Sequence, residues 1–205
     1  MNPIVLPEPD LFPDMQVNFL ELVEMRASVR HYVQEAMSLK ELSFLLWCSQ
    51  GVKMLLPDGR TIRNVPAAGG AHPLETYLLV RRMEGLEAGV YRFLPFEHAL
   101  LAQGTDLREA ERAFDGADSE MVGESAVTFV WSAVMERMAG GSMADAYRYA
   151  AISAGHACQN LYLAAQAIEV GVCAIGTFQQ AGLTAALGLE GTSEIALYAA
   201  AAGNV

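Results

Sequence analysis

The sequence predicts an α/β fold (α+β, three-layer) in which a mixed central sheet is flanked by helices. Three observations carry this prediction: helical and strand patterns alternate along the chain, 53% of its 205 residues are hydrophobic, and no linker or composition break divides it. A chain of this length can bury one substantial core. We therefore treat residues 1–205 as a single domain.

Hydrophobic periodicity and capping signals place the helices. The stretch Ser38-Leu39-Lys40-Glu41 is a capping box, and Leu42, Leu45 and Leu46 follow it on one helical face. Gly171 ends the longest helix. The predicted helices span residues 18–25, 38–50, 106–114, 147–169 and 180–187.

Runs of aliphatic, β-branched and aromatic residues place the strands. The predicted strands span residues 75–80, 89–93, 126–133, 172–175 and 194–202. The run at 126–133 is apolar enough for a central strand. Residues 57–70 are rich in Gly, Pro and Asn and predict a long loop, and loops of that length in compact domains tend to be functional.

The charge balance and the N-terminus exclude several classes of partner. The chain has 24 acidic and 13 basic residues and a formal net charge of -11, with no basic stripe to neutralise a nucleic acid backbone. It shows no charged n-region before an apolar run and no apolar stretch long enough for a bilayer, so we expect a cytoplasmic protein without a membrane partner. Cys48, Cys158 and Cys173 lie in apolar stretches, which indicates reduced core thiols.

Against this acidic background, a small basic segment is the first candidate for a binding site. Arg26, Ser28 and Arg30 alternate along the chain, so an extended backbone would bring their side chains to one side. Two guanidiniums and a hydroxyl suit a bound anion such as a phosphate. The alternative is that both arginines are solvated charges near a helix end.

A turn of very small residues is the second candidate. Residues 66–70 read Pro-Ala-Ala-Gly-Gly, so their backbone N–H groups can approach a planar or phosphorylated ligand closely. The alternative is an ordinary tight loop. No Gly-x-Gly-x-x-Gly fingerprint and no P-loop occurs, which leaves a resident nicotinamide or ATP site unsupported. The four histidines are scattered, so no metal site is predicted.

Several motifs in order along the chain resemble the nitroreductase superfamily, and within it the SagB-type dehydrogenase branch. Arg-Ala-Ser-Val-Arg at 26–30 is similar to the flavin-phosphate motif of the superfamily. Pro-Ala-Ala-Gly-Gly-Ala-His-Pro-Leu-Glu at 66–75 resembles the Pro-Ser-Ala-Gly-x-x-x-Pro-x-Glu pattern of the branch. The likeness continues with Gly-Val-Tyr-Arg-Phe at 89–93, Glu-His-Ala-Leu at 97–100 and Tyr-Arg-Tyr at 147–149.

The resemblance implies an FMN-dependent oxidoreductase with the nitroreductase fold, working as a homodimer with FMN at the subunit interface. By motif position, Arg26 and Ser28 would hold the FMN phosphate, and Arg30 would lie toward N1 and O2 of the ring, where a cation favours reduction. Residues 66–69 would pack on the flavin held by the partner subunit. The implied cofactor contacts are Arg26, Ala27, Ser28, Arg30, Pro66, Ala67, Ala68, Gly69, Ile175, Gly176 and Thr177.

Two further segments have roles that follow from the same resemblance. Residues 175–177 stand where the family covers one face of the ring and offers a backbone N–H to N5, and the alternative is a plain strand-to-helix turn. Ala150, Ala154 and Ala157 form a small-residue face on the longest helix that would suit the dimer seam. A buried helix within one chain would look the same.

The implied function is a ping-pong hydride transfer through flavin N5, with NAD(P)H as the donor and a small molecule as the second substrate. Azoline-oxidising relatives carry a Lys-Tyr pair shortly before the Tyr147 segment, whereas residues 138–143 read Met-Ala-Gly-Gly-Ser-Met. Azoline oxidation needs a base, so this departure disfavours that activity unless Tyr147 substitutes. Two alternatives stay open: a SagB-type dehydrogenase that oxidises a peptide azoline or another small substrate, and a redox-inactive flavin-binding relative.

Overall fold

The residues that the structure describes, 2–9, 16–138 and 142–205, form nine strands and six α-helices in this computed structural model. The strands are β1 (Ile4–Val5), β2 (Val52–Leu55), β3 (Thr61–Arg63), β4 (Leu74–Val80), β5 (Gly89–Leu94), β6 (Ala99–Ala102), β7 (Val127–Val134), β8 (Val170–Ile175) and β9 (Glu194–Asn204). The helices are α1 (Phe19–Met25), α2 (Leu39–Gln50), α3 (Leu107–Glu111), α4 (Gly116–Glu124), α5 (Met143–Ala167) and α6 (Gln180–Ala186).

Seven strands form one sheet in the order β1-β6-β5-β4-β7-β9-β8, and β2 and β3 form a separate hairpin. The predicted fold class, helices around a central sheet, is confirmed. The strand directions differ from the expected mixed sheet, because all neighbours in the large sheet are antiparallel. The reason lies in β9, which inserts between β7 and β8 antiparallel to both, so these two strands share a direction without pairing.

Helices cover both faces of the sheet and give the three layers that the sequence predicts. Phe129 and Trp131 of β7 belong to a core cluster with buried residues of α2 and α5. Val130, between them, belongs to the cluster on the other face, with buried residues of α3, α4 and α6. Successive residues of a strand point to opposite faces, so an apolar run such as β7 can fill both clusters.

Helix boundaries follow the capping residues. The capping box of α2 is present: the Ser38 hydroxyl accepts from the Glu41 amide, and the Glu41 carboxylate accepts from the Ser38 amide. Helix α5 begins at Met143 rather than at 147, because the Ser142 hydroxyl accepts from the Asp145 amide and caps it earlier. Helix α3 ends at Glu111 rather than at 114.

The predicted loop at 57–70 is wrong in its first half. Strands β2 and β3 pair with each other across a turn at Asp58-Gly59, where the Leu56 amide donates to the Arg60 carbonyl. Strand β3 is only three residues long, so its periodicity was too brief to indicate a strand. The second half of the segment is irregular apart from one 3₁₀ turn at Ala68–Gly70.

The small-residue face of α5 lies inside the chain. Ala150, Ala154 and Ala157 are buried in the cluster shared with α2 and the sheet. The expectation that this face forms a dimer seam is therefore wrong, and the alternative of a buried helix within one chain is correct. Small side chains here let α5 pack closely on the sheet.

Two other sequence-based expectations concern the membrane and the thiols. Within the described ranges, no helix combines the length and the apolar character needed to cross a bilayer. Cys48, Cys158 and Cys173 are free thiols, and the latter two are buried. Burial raises the pKa of Cys158 to about 12, so its thiol stays protonated and is a poor nucleophile.

Candidate flavin site

Residues 26–33 run along the edge of the sheet beside β8. The Val29 amide donates to the Val172 carbonyl at 2.9 Å, and the Val33 amide donates to the Asn204 carbonyl at 3.0 Å. These two hydrogen bonds attach the segment to the neighbouring strands β8 and β9. The predicted phosphate-binding residues are thus held at a defined position on the sheet.

Two glycines allow this close approach. A Cβ on Gly203 would lie 3.0 Å from ring carbons of Tyr32, and a Cβ on Gly171 would lie 2.9 Å from a methyl carbon of Val29. Tyr32 is buried, and its hydroxyl contacts the carbonyls of Val29 at 2.8 Å and Ala201 at 3.1 Å. A side chain at either glycine would push the segment away from the sheet.

Tyr162 of α5 joins the segment to β8. Its hydroxyl accepts from the Ala174 amide at 2.7 Å and shares a hydrogen bond with the Ser28 hydroxyl at 3.0 Å. The Arg26 guanidinium lies 5.3 Å from the centre of the Tyr162 ring. Burial raises the pKa of Tyr162, so the phenol keeps its proton. When that proton points to Ser28, the Ser28 proton is free for an anion.

Arg26 and Arg30 are cations without a carboxylate partner among the residues that the structure describes. Arg30 is exposed, and its Nη1 lies 3.4 Å from the Ser28 carbonyl. Ala27, between the two arginines, is exposed and adds no bulk beyond a methyl group. The structure therefore brings Arg26, Ser28 and Arg30 together, as their alternate spacing predicts. Two unpaired guanidiniums and a hydroxyl can hold a phosphate.

The turn at residues 66–69 is anchored to a different part of α5. The Ala68 amide donates to the Ser153 hydroxyl at 3.2 Å, and that hydroxyl donates to the Tyr149 carbonyl at 2.8 Å. Ser153 and Tyr162 are nine positions apart in the helix, about 13 Å along its axis. The turn and the basic segment consequently do not form one compact pocket within a single chain.

The segment after β8 divides into a buried and an exposed part. Ile175 is 1% exposed, and its side chain belongs to the core cluster of α6, so only its backbone can meet a ligand. Gly176 and Thr177 are exposed. A Cβ on Gly176 would lie 3.8 Å from the Tyr198 ring, which is ordinary contact. The exposed pair lies past Ala174, the residue whose amide binds Tyr162.

Sequence reasoning missed Tyr162, although a signal for it exists. It lies on the buried face of α5, one position after the core residue Leu161. A hydroxyl on an otherwise apolar helix face needs a partner, so Tyr162 was recognisable as a residue with a specific contact. The partner itself, Ser28, lies 134 positions away in the sequence and could not be read from spacing.

We expect Tyr162→Phe to weaken both the fold and anion binding. The substitution leaves the Ala174 amide without an acceptor, which costs about 1–3 kcal/mol in the free energy of unfolding. It also removes the hydrogen bond that orients the Ser28 hydroxyl, so the affinity for a phosphate-bearing ligand should fall. Urea denaturation and FMN fluorescence titration measure the two effects. Tyr149→Phe, at a partly exposed position of the same helix, is the matched control, and an equal response of both variants would contradict this role.

Comparison with known proteins gives one consistent family. The model of the nitroreductase family matches residues 23–204. A Methanocaldococcus jannaschii protein named as a nitroreductase is 30% identical over 167 residues, which are 81% of this chain and 82% of that protein. The microcin B17-processing protein McbC of Escherichia coli is 30% identical over 118 residues, 55% of this chain and 43% of that protein.

Solved structures share the fold. A crystal structure titled as a nitroreductase from Ralstonia eutropha matches with a TM-score of 0.84 and 24% identity, covering 100% of this chain and 90% of that one. A second crystal structure, from Desulfovibrio desulfuricans, is titled as a nitroreductase in complex with FMN. It matches with a TM-score of 0.64 and 20% identity, covering 92% of this chain and 87% of that one.

Proposed function

Because the chain belongs to the nitroreductase family, we propose that it is an FMN-dependent oxidoreductase that uses NAD(P)H to reduce a small organic molecule. Bound FMN would supply the redox chemistry by accepting and returning a hydride at N5. The protein would supply the phosphate anchor, a cation near the ring and a slot that selects the substrate. The observation that carries the proposal is the stacking of Arg26 on Tyr162 beside the Ser28 hydroxyl, with no carboxylate of the described ranges paired to this arginine.

The residues present fit the FMN phosphate. Arg26 and Ser28 provide a charged and a neutral donor on one side of Tyr162, and the exposed Ala27 leaves room between them. A phosphate would give Arg26 the anionic partner that it lacks among the described residues. Tyr32 packs against Gly203 and Val29 against Gly171, and this packing holds Arg26 and Ser28 in place before a ligand binds. Less conformational entropy is therefore lost when the ligand binds.

Roles at the ring follow from position. Arg30 is exposed two residues beyond Ser28 and would place its charge toward N1 and O2, where it stabilises negative charge that accumulates on reduction. The backbone of residues 175–177 would cover one ring face and offer an N–H to N5. The buried Ile175 side chain supports the position of this backbone from behind.

We extend the proposal to a homodimer, in which Pro66, Ala67, Ala68 and Gly69 pack on the flavin of the second copy. The distance of this turn from Tyr162 along α5 supports that assignment. Helix α1 supports it as well, because no residue of α1 is buried in the single chain. Phe19, Leu20, Val23 and Met25 give it an exposed apolar surface, typical of a surface that a partner covers.

The absorption spectrum of the purified protein, followed by anaerobic titration with NADH and NADPH, tests the proposed function. We expect a flavin spectrum, in the protein as isolated or after addition of FMN, that bleaches with one or both nicotinamides. Reoxidation by a nitroaromatic compound or a quinone would complete the cycle. A protein that takes up no FMN, or binds FMN without any reduction, would contradict the proposal.

A second function is favoured by the similarity to McbC, whose name marks it as a processing protein. In this function the chain is a SagB-type dehydrogenase that oxidises a peptide azoline or another small substrate and needs a partner protein. Tyr147, exposed at the start of the second turn of α5, would act as the base. The nearby residues 139–141 lie outside the described ranges. A flavin that bleaches poorly with nicotinamides, but is reduced by a substrate in the presence of its partner, would favour this function.

A further inference from the structure

An open cavity lies beside the β2–β3 hairpin. Its volume is about 330 Å³, at the lower end of the range for small-molecule sites. The charged and aromatic residues of its lining are Arg60, Arg63, His72, Phe96 and Arg137, and no Asp or Glu of the described ranges belongs to the lining. We call it the arginine cavity. In a chain with a net charge of -11, a cavity whose described lining is basic or neutral is a marked local reversal of charge.

The carboxylates behind the cavity do not balance its arginines. Glu75 is buried and forms ion pairs with two guanidiniums, that of Arg137 at 2.6 Å and that of Arg92 at 3.0 Å. Arg63 donates instead to neutral oxygens, those of Gln50 at 3.0 Å and Thr61 at 3.5 Å. The charge of Glu194 also acts on Arg92, so two carboxylates stand against three guanidiniums, and the surplus positive charge faces the cavity.

Arg60 adds a fourth guanidinium at the outer side of the arginine cavity. It pairs with Asp58 at 2.7 Å, and both side chains are exposed. An exposed ion pair is weak, so this arginine can turn to a ligand at little cost.

Arg63 is the centre of this unbalanced charge. It is half-buried, and this burial lowers its pKa. Burial, and after it the nearby charge of Arg63, also lower the pKa of His72. An arginine stays protonated in proteins, so a partly desolvated guanidinium is stabilised by an anion close to it. A planar oxyanion matches the fork of its N–H donors.

Gln50 connects the arginine cavity to the turn at residues 66–69. Its side-chain oxygen accepts from Arg63. Its amide nitrogen has no hydrogen-bond partner among the described residues, although the residue is only 2% exposed. Gln50 lines a small neighbouring cavity together with Pro66 and Ala67. A buried donor without a partner is rare, and here it points to a group that is bound next to the turn.

We propose that the arginine cavity binds an oxyanion, a carboxylate or a phosphate, carried by a small molecule that reacts at the flavin. The placement next to the flavin rests on the proposed function, in which residues 66–69 contact the ring. Arg63 and Arg137 bind the oxyanion. Phe96, 58% exposed at the rim, offers an aromatic face to the body of the ligand. The cavity thus selects anionic substrates or donors.

Calorimetric titration of the full chain with inorganic pyrophosphate tests the cavity, with FMN present in saturating amount so that the Arg26 site is filled. Arg63→Gln removes the charge, and we expect its affinity for pyrophosphate to fall about tenfold, the effect of one lost charge-assisted hydrogen bond. Arg60→Gln, at an exposed position, should lose less affinity for pyrophosphate than Arg63→Gln and should fold normally. Arg112→Gln removes the same charge from an exposed position after α3 and should leave the affinity unchanged.

The proposal would be overturned if the parent, Arg63→Gln and Arg60→Gln bound pyrophosphate with equal affinity. It would also be overturned if pyrophosphate showed no saturable binding to the parent. Failure of the proposed function is seen separately, as a chain that takes up no FMN. In that case the pyrophosphate titration is repeated with Arg26→Gln. This substitution disables the proposed phosphate site, so the binding that remains is assigned to the arginine cavity.

Competition identifies the source of the oxyanion. Displacement of pyrophosphate by NADPH but not by NADH assigns the cavity to the extra phosphate of the donor. Displacement by nitrobenzoate but not by nitrobenzamide assigns it to a carboxylate of the second substrate. Displacement by none of these compounds would contradict the link between the cavity and a redox reactant.

Discussion

Arg26→Ala is expected to raise the dissociation constant of FMN by roughly 10- to 100-fold, the effect of losing one charge-assisted hydrogen bond to a phosphate. Arg26 stacks on Tyr162 and has no carboxylate partner among the described residues, so its charge is available to the ligand. Fluorescence titration of flavin-free protein with FMN measures the change. The fold should be unaffected, because Arg26 contributes a surface contact only.

Two matched variants make this result specific. Arg112→Ala removes an equal charge from an exposed position after α3 and should retain FMN. Arg30→Ala should retain most of the FMN but lower its reduction potential by tens of millivolts, since about 30 mV corresponds to about 1.4 kcal/mol for a two-electron couple. Equal FMN affinity in Arg26→Ala and Arg112→Ala would show that the phosphate lies elsewhere. An unchanged potential in Arg30→Ala would contradict its position near the ring.

Gly203→Ala is expected to destabilise the protein by about 1–3 kcal/mol, the usual cost of overpacking. The new methyl group would lie 3.0 Å from ring carbons of Tyr32, which are rigid and buried. Tyr32 must then move away from β9, and the segment that carries Arg26 and Ser28 moves with it. FMN affinity should therefore fall together with stability, although Gly203 itself touches no ligand.

Gly123→Ala is the control for the same chemical change. Gly123 lies in α4, and a Cβ there meets no atom within 4 Å. Alanine in a helix stabilises a protein by about 0.5–1 kcal/mol relative to glycine. The free energy of unfolding of this variant should therefore equal or exceed that of the parent. Urea denaturation with and without excess FMN separates intrinsic stability from ligand linkage. Gly203→Ala with parental stability and FMN affinity would refute the steric argument.

Local signals were sufficient for the elements that form the core. The apolar runs of β4 and β7 and the capping box at Ser38 identify elements whose burial is decided by their own residues. Signals were insufficient for β2, β3 and α4. The two strands are short, and only Met121 and Val122 are buried in α4, so its pattern is weak. The position of β9 between β7 and β8 depends on contacts across the whole chain, which no local pattern contains.

The candidate site was predictable to a similar extent. The residues proposed to face the ligand, Arg26 and Ser28, could be recognised because their chemistry and spacing suit an anion. The residues that hold them, Tyr162 and the glycines at 171 and 203, could not, because their role arises from approaches between distant segments. Arg63 escaped notice for the same reason, since its contact with Gln50 and its place in the cavity lining appear only in three dimensions.

The attachment of residues 26–33 to β8 has a second consequence, for aggregation. Strand β8 is the last strand of the sheet, and an outermost strand with free N–H and C=O groups is a template for pairing with other chains. The Val29 amide occupies the Val172 carbonyl of β8 and so blocks part of that template, while the Val33 amide binds the Asn204 carbonyl at the end of β9. The segment proposed to bind the phosphate therefore also shields part of the sheet edge from pairing with other chains.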